Sequence, residues 1–158
     1  MYFFPRRPKY PTKKQLEIWE LKRNQIVAKD IAAKKKVTQG FVSKSLSETN
    51  KRVEGLLENA AHMNKISLEV LSGEQGYARG ISHMFDVPAY ITYSPKNDVQ
   101  VWYEDKGNCI KCEKYDYCRT IIIQEFKERN LKLENPKLQP TYLIEKLIEL
   151  LEERVEAG

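Results

Sequence analysis

Apolar residues in this chain recur first at helical spacing and then at every second position. Leu16, Ile18, Trp19 and Leu21 share one side of a segment that Thr12 and Gln15 open as a capping box, which predicts a helix from there to about Lys22. A second helix fits Ala28–Lys35, with Ile31 and Ala32 inward. Thr38 can cap a third, which runs unbroken to about Met63. In that third helix Val42, Leu46, Thr49, Val53, Leu56, Ala60 and Met63 are spaced alternately four and three apart, a mostly apolar heptad seam. Its first half is expected to pack on the chain's own core, and its second half suits either that core or a partner chain.

From residue 66 the period changes to two. Ile66, Leu68 and Val70 alternate with Ser67 and Glu69. Val87, Ala89, Ile91 and Tyr93 form a second alternating run, and Val99, Val101 and Tyr103 a third, with the turn sequence SPKND between them. A strand near Tyr77–Met84 completes a small antiparallel sheet. Helices follow over about Arg119–Asn130 and Thr141–Val155, the last made amphipathic by Leu143, Leu147, Leu150 and Leu151. The expectation is an α+β fold in three parts: a proline-stiffened basic arm over 1–11, a helical unit over 12–64, and an α+β unit over 65–158 for sensing or dimerisation.

Charge divides the same way. Residues 1–55 hold 14 Lys/Arg against 5 Asp/Glu, and the remainder 13 against 17. A basic head on a mildly acidic body points to an anionic polymer bound at one end; the alternative is a solvated lysine-rich surface. Every apolar run is short and broken by charge, so no membrane span is expected. MYFFPRRPKYP lacks the apolar core of a signal peptide, so the chain is expected in the cytoplasm.

Within the basic head, VAKDIAAKKKVTQGFVSKSL meets the requirements of a helix-turn-helix. Ala32 is the small residue at the crossing, Ile31, Val37 and Val42 are the apolar supports, and Thr38 caps the second helix. Gln39, Ser43, Lys44 and Ser47 face outward. Two departures stand out: the turn has Lys35 or Lys36 where glycine is usual, and Gly40 weakens the recognition helix by about 1 kcal/mol relative to alanine.

Across about residues 11–64, PTKKQLEIWELKR and AKDIAAKKKVTQGFVSKSLSETNKRVEGLLENA resemble the tetrahelical helix-turn-helix of LuxR-type and sigma-factor region-4 domains. They are most similar to archaeal Tfx-like regulators, with T-x-x-Q opening the first helix and V-S-x-x-L in the recognition helix. The resemblance implies sequence-specific binding of double-stranded DNA with the third helix in the major groove, and Gln39, Ser43 and Lys44 match its groove-facing positions. Chemically, Gln39 can pair with adenine, while Ser43, Lys44 and Ser47 can reach bases or phosphates. Lys34, Lys35 and Lys36 suit the DNA backbone, and Arg6 and Arg7 in the arm suit a minor groove.

Beyond the resemblance lies CIKCEKYDYC. Cys109, Cys112 and Cys118 are all the cysteines of the chain, packed into ten residues. C-x2-C lets two thiolates reach one ion, and Cys118 is expected at a helix start that favours thiolate. Zinc needs a fourth ligand, for which His62, His83, Glu113 and Asp116 are candidates without diagnostic spacing. An iron–sulfur cluster can take three cysteines and one other ligand, and is favoured slightly for that reason. A disulfide with one free thiol is the remaining alternative. No nucleophile motif, phosphate-binding loop or carboxylate pair stands out, so no enzyme is expected. The expected function is a homodimeric transcriptional regulator with a metal or redox-sensing cysteine site. The competing reading is an architectural DNA-binding protein stapled by zinc or a disulfide.

Overall fold

The structure is a computed structural model and describes residues 7–105 and 107–158. Helix α1 spans Lys13–Arg23. Its capping box is formed: Thr12 Oγ1 accepts from the Gln15 amide at 3.3 Å, and Gln15 Oε1 accepts from the Thr12 amide at 3.0 Å. Helix α2 spans Ala28–Lys35 and α3 Gln39–Met63. The turn between them solves its missing glycine by placing Lys36 itself in the left-handed region, at φ 56°. The amides of Lys36 and Val37 then return to the carbonyls of Ala33 and Ala32 and close the end of α2. Thr38 Oγ1 accepts from the Phe41 amide and starts α3.

Strands β1 (Ile66–Ser72), β2 (Tyr77–Ser82), β3 (Val87–Ser94) and β4 (Asp98–Tyr103) form an antiparallel meander in sequence order. Alternation along the strands gives the sheet two buried faces. Ala78, Ala89, Ile91 and Tyr93 meet Val53, Leu56, Leu57 and Ala61 of α3 and Trp19 of α1. On the opposite face, Tyr77 meets Ile122 and Phe126 of α4 (Tyr115–Glu128) and Leu143, Leu147 and Leu151 of α5 (Pro140–Ala157). The architecture is therefore α+β in three layers, with the sheet in the middle. A third cluster, Ile18, Ile31, Ala32 and Val42, holds the first three helices together. Because Trp19 belongs to the sheet core and donates its indole N–H to the Gly73 carbonyl at 3.0 Å, residues 12–64 and 65–158 share a core.

Three expectations change here. Helix α4 begins at Tyr115, four residues before the expected Arg119, and Cys118 lies inside its first turn. Lys114, its N-cap, makes no side-chain capping bond, so the start carries no sequence signal. His83 is not on a strand: β2 ends at Ser82, and His83 to Asp86 turn the chain, with Asp86 at φ 54°. The third concerns the second half of the α3 seam, expected to meet either the chain's own core or a partner, and with it the apolar stripe of the last helix. Val53 and Leu56 are buried under the sheet, and Leu143 and Leu147 against α4, so both stripes are consumed within one chain. Only the end of the seam, Met63, is left open, at 67% exposure.

Candidate nucleic-acid interface and cysteine site

Two places in the fold gather chemistry: the start of α3 and the loop between β4 and α4. Along α3, the buried stripe Val42, Ser45 and Thr49 fixes the opposite side as the exposed one. Gln39, Ser43 and Ser47, four residues apart, make one exposed row, and Lys44 is exposed beside it. Lys34 and Lys36 of the turn before α3 are exposed, as are Lys13 and Lys14 at the start of α1. Lys14 stacks its ammonium 5.0 Å from the centre of the Phe41 ring. A groove of about 320 Å3 runs between the starts of α1 and α3, lined by Thr12, Lys14, Phe41 and Lys44 among others.

Lys35 differs from its neighbours. It forms an ion pair with Glu17 at 2.9 Å, which ties α2 to α1 and holds the Glu17 carboxyl below its usual range. One acid, Glu48, faces the same groove and accepts from Gln15 Nε2 at 3.3 Å. Arg7 is exposed, and Arg6 lies outside the described residues. The root of the arm is pinned. Pro11 is buried, Tyr10 donates to the Asp98 carboxylate at 2.9 Å, and Arg52 donates to the Tyr10 carbonyl at 3.1 Å. Sequence reasoning missed Asp98 and Arg52 as anchors because both lie far from residue 10 along the chain.

In the cysteine loop, Cys109 opens a single 3-10 turn, Cys109–Lys111, and Cys118 follows on α4. All three thiols line one cavity of about 260 Å3, whose walls include Trp102, Ile122, Pro140 and Ile144. Cys109 Sγ lies 2.8 Å from Thr141 Oγ1, so α5 also holds the loop. Asp105 lines the same cavity; the four sequence candidates for a fourth ligand, His62, His83, Glu113 and Asp116, do not. As the side chains stand, no three His, Cys, Asp or Glu among the described residues converge closely enough to hold one ion. The helix start was expected to favour a Cys118 thiolate, and the opposite direction is found. Burial pushes this thiol up, the charges of Cys112 and Cys109 push it further, and Lys114 only partly opposes them. A cation placed among the three thiols would favour their thiolate forms.

Helix α4 carries the cysteine end of the molecule to a buried cluster of arginines at the other. Glu125 and Arg129 are fully buried and pair with each other. Glu125 also accepts from Ser94 Oγ at 3.0 Å and Asn97 Nδ2 at 2.9 Å, and Arg129 donates to the Tyr93 carbonyl at 3.0 Å. Arg23, the last residue of α1, is 1% exposed. It donates to the Glu128 carbonyl at 3.2 Å and stacks 4.4 Å from the Trp19 ring. Arg154 of α5 donates to the carbonyls of both Arg23 and Arg129, at 3.4 and 3.2 Å. Burial pulls Arg23 down, and Arg129 adds to the pull. A guanidinium keeps its proton across the range where the protein is folded, so this pull is a stability cost rather than a proton release.

No helix among the described residues is long and apolar enough to cross a membrane. Comparison of the chain with protein-family models, with curated proteins and with solved structures finds no match.

Proposed function

We propose that this protein is a sequence-specific, DNA-binding transcriptional regulator of the cytoplasm, with the first turns of α3 in the major groove and the cysteine loop as its metal or iron–sulfur site. The observation that carries the reading is the exposed row Gln39, Ser43 and Ser47 with Lys44 beside it. It stands on a helix whose other side is fixed against α1 and α2, and it is flanked by lysines on both neighbours. That is the arrangement in which side chains reach base edges while lysines hold phosphates. Lys35 takes no part, because Glu17 occupies it. A homodimer would set two such helices about one DNA turn apart. Its contact lies outside the two consumed stripes.

For the cysteines, the supporting observation is that all three thiols line one cavity. A zinc ion would recruit Asp105 as its fourth ligand, and an iron–sulfur cluster would need no fourth protein ligand. Either would require the loop to close slightly around it. Signalling from this site would travel along α4 to Glu125 and Arg129, and from there to Arg23 at the end of α1.

Two measurements test the reading. Selected against random duplex in a competition assay should show a clear preference; equal affinity would leave the architectural reading. Cys112→Ser and wild type, purified anaerobically, are then compared for metal and acid-labile sulfide, thermal stability and DNA affinity. A sensor requires a coupling of at least about 1 kcal/mol between cofactor and DNA. A structural staple predicts lost stability at unchanged affinity. Wild type with no metal or sulfide and a Cys–Cys bond by mass spectrometry would end the cofactor proposal.

A further inference from the structure

Between the outer face of the sheet and α5 lies a second cavity, of about 310 Å3, a size suited to a small organic ligand. Its floor and walls are apolar and aromatic: Tyr90 and Trp102 from the sheet, Ile144 and Ile148 from α5. The Trp102 indole N–H is already satisfied by Thr92 Oγ1 at 3.0 Å, so the ring presents carbon to the cavity. The rim is acidic on both sides. Glu104 stands at the end of β4, and Glu145, Glu149 and Glu152 stand along α5. No lysine or arginine is among the described residues that line it.

The existing bonds leave much of this negative charge unanswered. Glu152 accepts from Tyr77 at 2.8 Å and Arg79 at 2.7 Å, both through Oε1. Glu104 accepts from Tyr90 through Oε2 at 3.0 Å. Glu149 pairs with Lys146 at 3.1 Å in an exposed contact of little energetic weight. The field is felt at Tyr90, whose hydroxyl is pushed up to about 12 by burial, then by its bond to Glu104, with Glu152 adding.

Aromatic faces backed by carboxylates favour an organic cation, and the apolar walls favour methylenes on it. The acids of α5 are spaced four and three residues apart, so they lie about 6 Å and about 4.5 Å apart along the helix axis. Three or four methylenes set two ammonium groups at a comparable distance. An anion or a nucleic acid would be repelled here, and a bare divalent metal would leave the apolar walls unused. We propose that this cavity binds a linear aliphatic polyamine, with methylenes against Trp102, Ile144 and Ile148 and ammonium groups on Glu104, Glu145 and Glu149. The cavity shares Trp102, Thr141 and Ile144 with the cysteine cavity, so the ligand lies beside the cysteine loop.

The test uses the full chain without DNA, so its outcome does not depend on the DNA-binding proposal. Spermidine is titrated at constant ionic strength, followed by calorimetry and tryptophan fluorescence. Trp19 is fully buried elsewhere, so Trp102 reports the site. One saturable site is expected. Glu145 and Glu149 are exposed, and the double substitution Glu145→Gln, Glu149→Gln should weaken binding at least about ten-fold with unchanged melting, through loss of charge-assisted contacts. The proposal is overturned if calorimetry shows no saturable binding, if magnesium chloride at matched ionic strength reproduces the response, or if the double substitution leaves the affinity unchanged.

Discussion

The lysines around α3 and the arginines at the end of α4 carry the same formal charge in opposite settings. Lys13, Lys14, Lys34, Lys36 and Lys44 are exposed, Lys14 over the Phe41 ring. Arg23 and Arg129 are buried, stacked or paired, and bonded to the carbonyls of Glu128 in α4 and Tyr93 in β3. In the first setting a charge is available to a ligand and matters little to the fold. In the second it is unavailable to any ligand, and removing it strands its partners in a dry interior. Net charge alone therefore locates neither the binding surface nor the joint; burial separates them.

The largest expected effect breaks this contrast at the joint. Arg129→Ala leaves Glu125 buried without its cation and should lower stability by about 3–5 kcal/mol, measured by chemical denaturation. Glu125→Gln with Arg129→Met should recover much of that loss, which would show the cost to be one of stranded charge. Next in size, Gln39→Ala should reduce discrimination between selected and random duplex by about 1–3 kcal/mol while the melting temperature holds. Unchanged affinity and preference would remove Gln39 from the interface.

A third expectation concerns alkaline pH. Tyr93 is pushed up to about 12, by burial first and then by Asp98, and Tyr90 reaches a similar value. Unfolded tyrosine releases its proton near pH 10. The folded state thus holds more protons than the unfolded one between these values. The stabilisation is complete below about pH 10 and is lost as pH rises through about 12. Tyr93→Phe should retain about 1 kcal/mol more of its neutral-pH stability at pH 11 than wild type does. The smallest effect belongs to the turn. Lys36→Gly relieves a left-handed lysine and should raise stability by about 0.5–1 kcal/mol, while weakening DNA binding slightly and equally for all sequences.

Much of the architecture was legible because local signals agreed with tertiary ones. Thr12 and Thr38 cap the helices they were expected to cap, and the alternating strands lie where period two put them. The early start of α4 was not legible, since no capping side chain marks it. Nor was the joint. No spacing or motif singles out Arg23, Arg129 or Arg154 in the sequence; the crossing of α1, α4 and α5 buries two of them and turns the third inward. The cysteine cluster was visible as spacing. That its cavity draws in Asp105 and Thr141, and leaves out both histidines, depends on how α5 packs across the loop.

Helix α3 runs without a break from the exposed row at Gln39 to the layer under the sheet. Its length therefore acts as an angular gear between the two. Each residue added between Ser47 and Val53 would rotate the first turns by about 100° relative to the sheet, and four would nearly restore the phase. Helix α1 spans the same interval, with Ile18 on the start of α3 and Trp19 under the sheet, so an insertion of one residue would pull these two contacts out of phase, and lineages of this chain should tolerate length changes here only in steps close to whole helical turns.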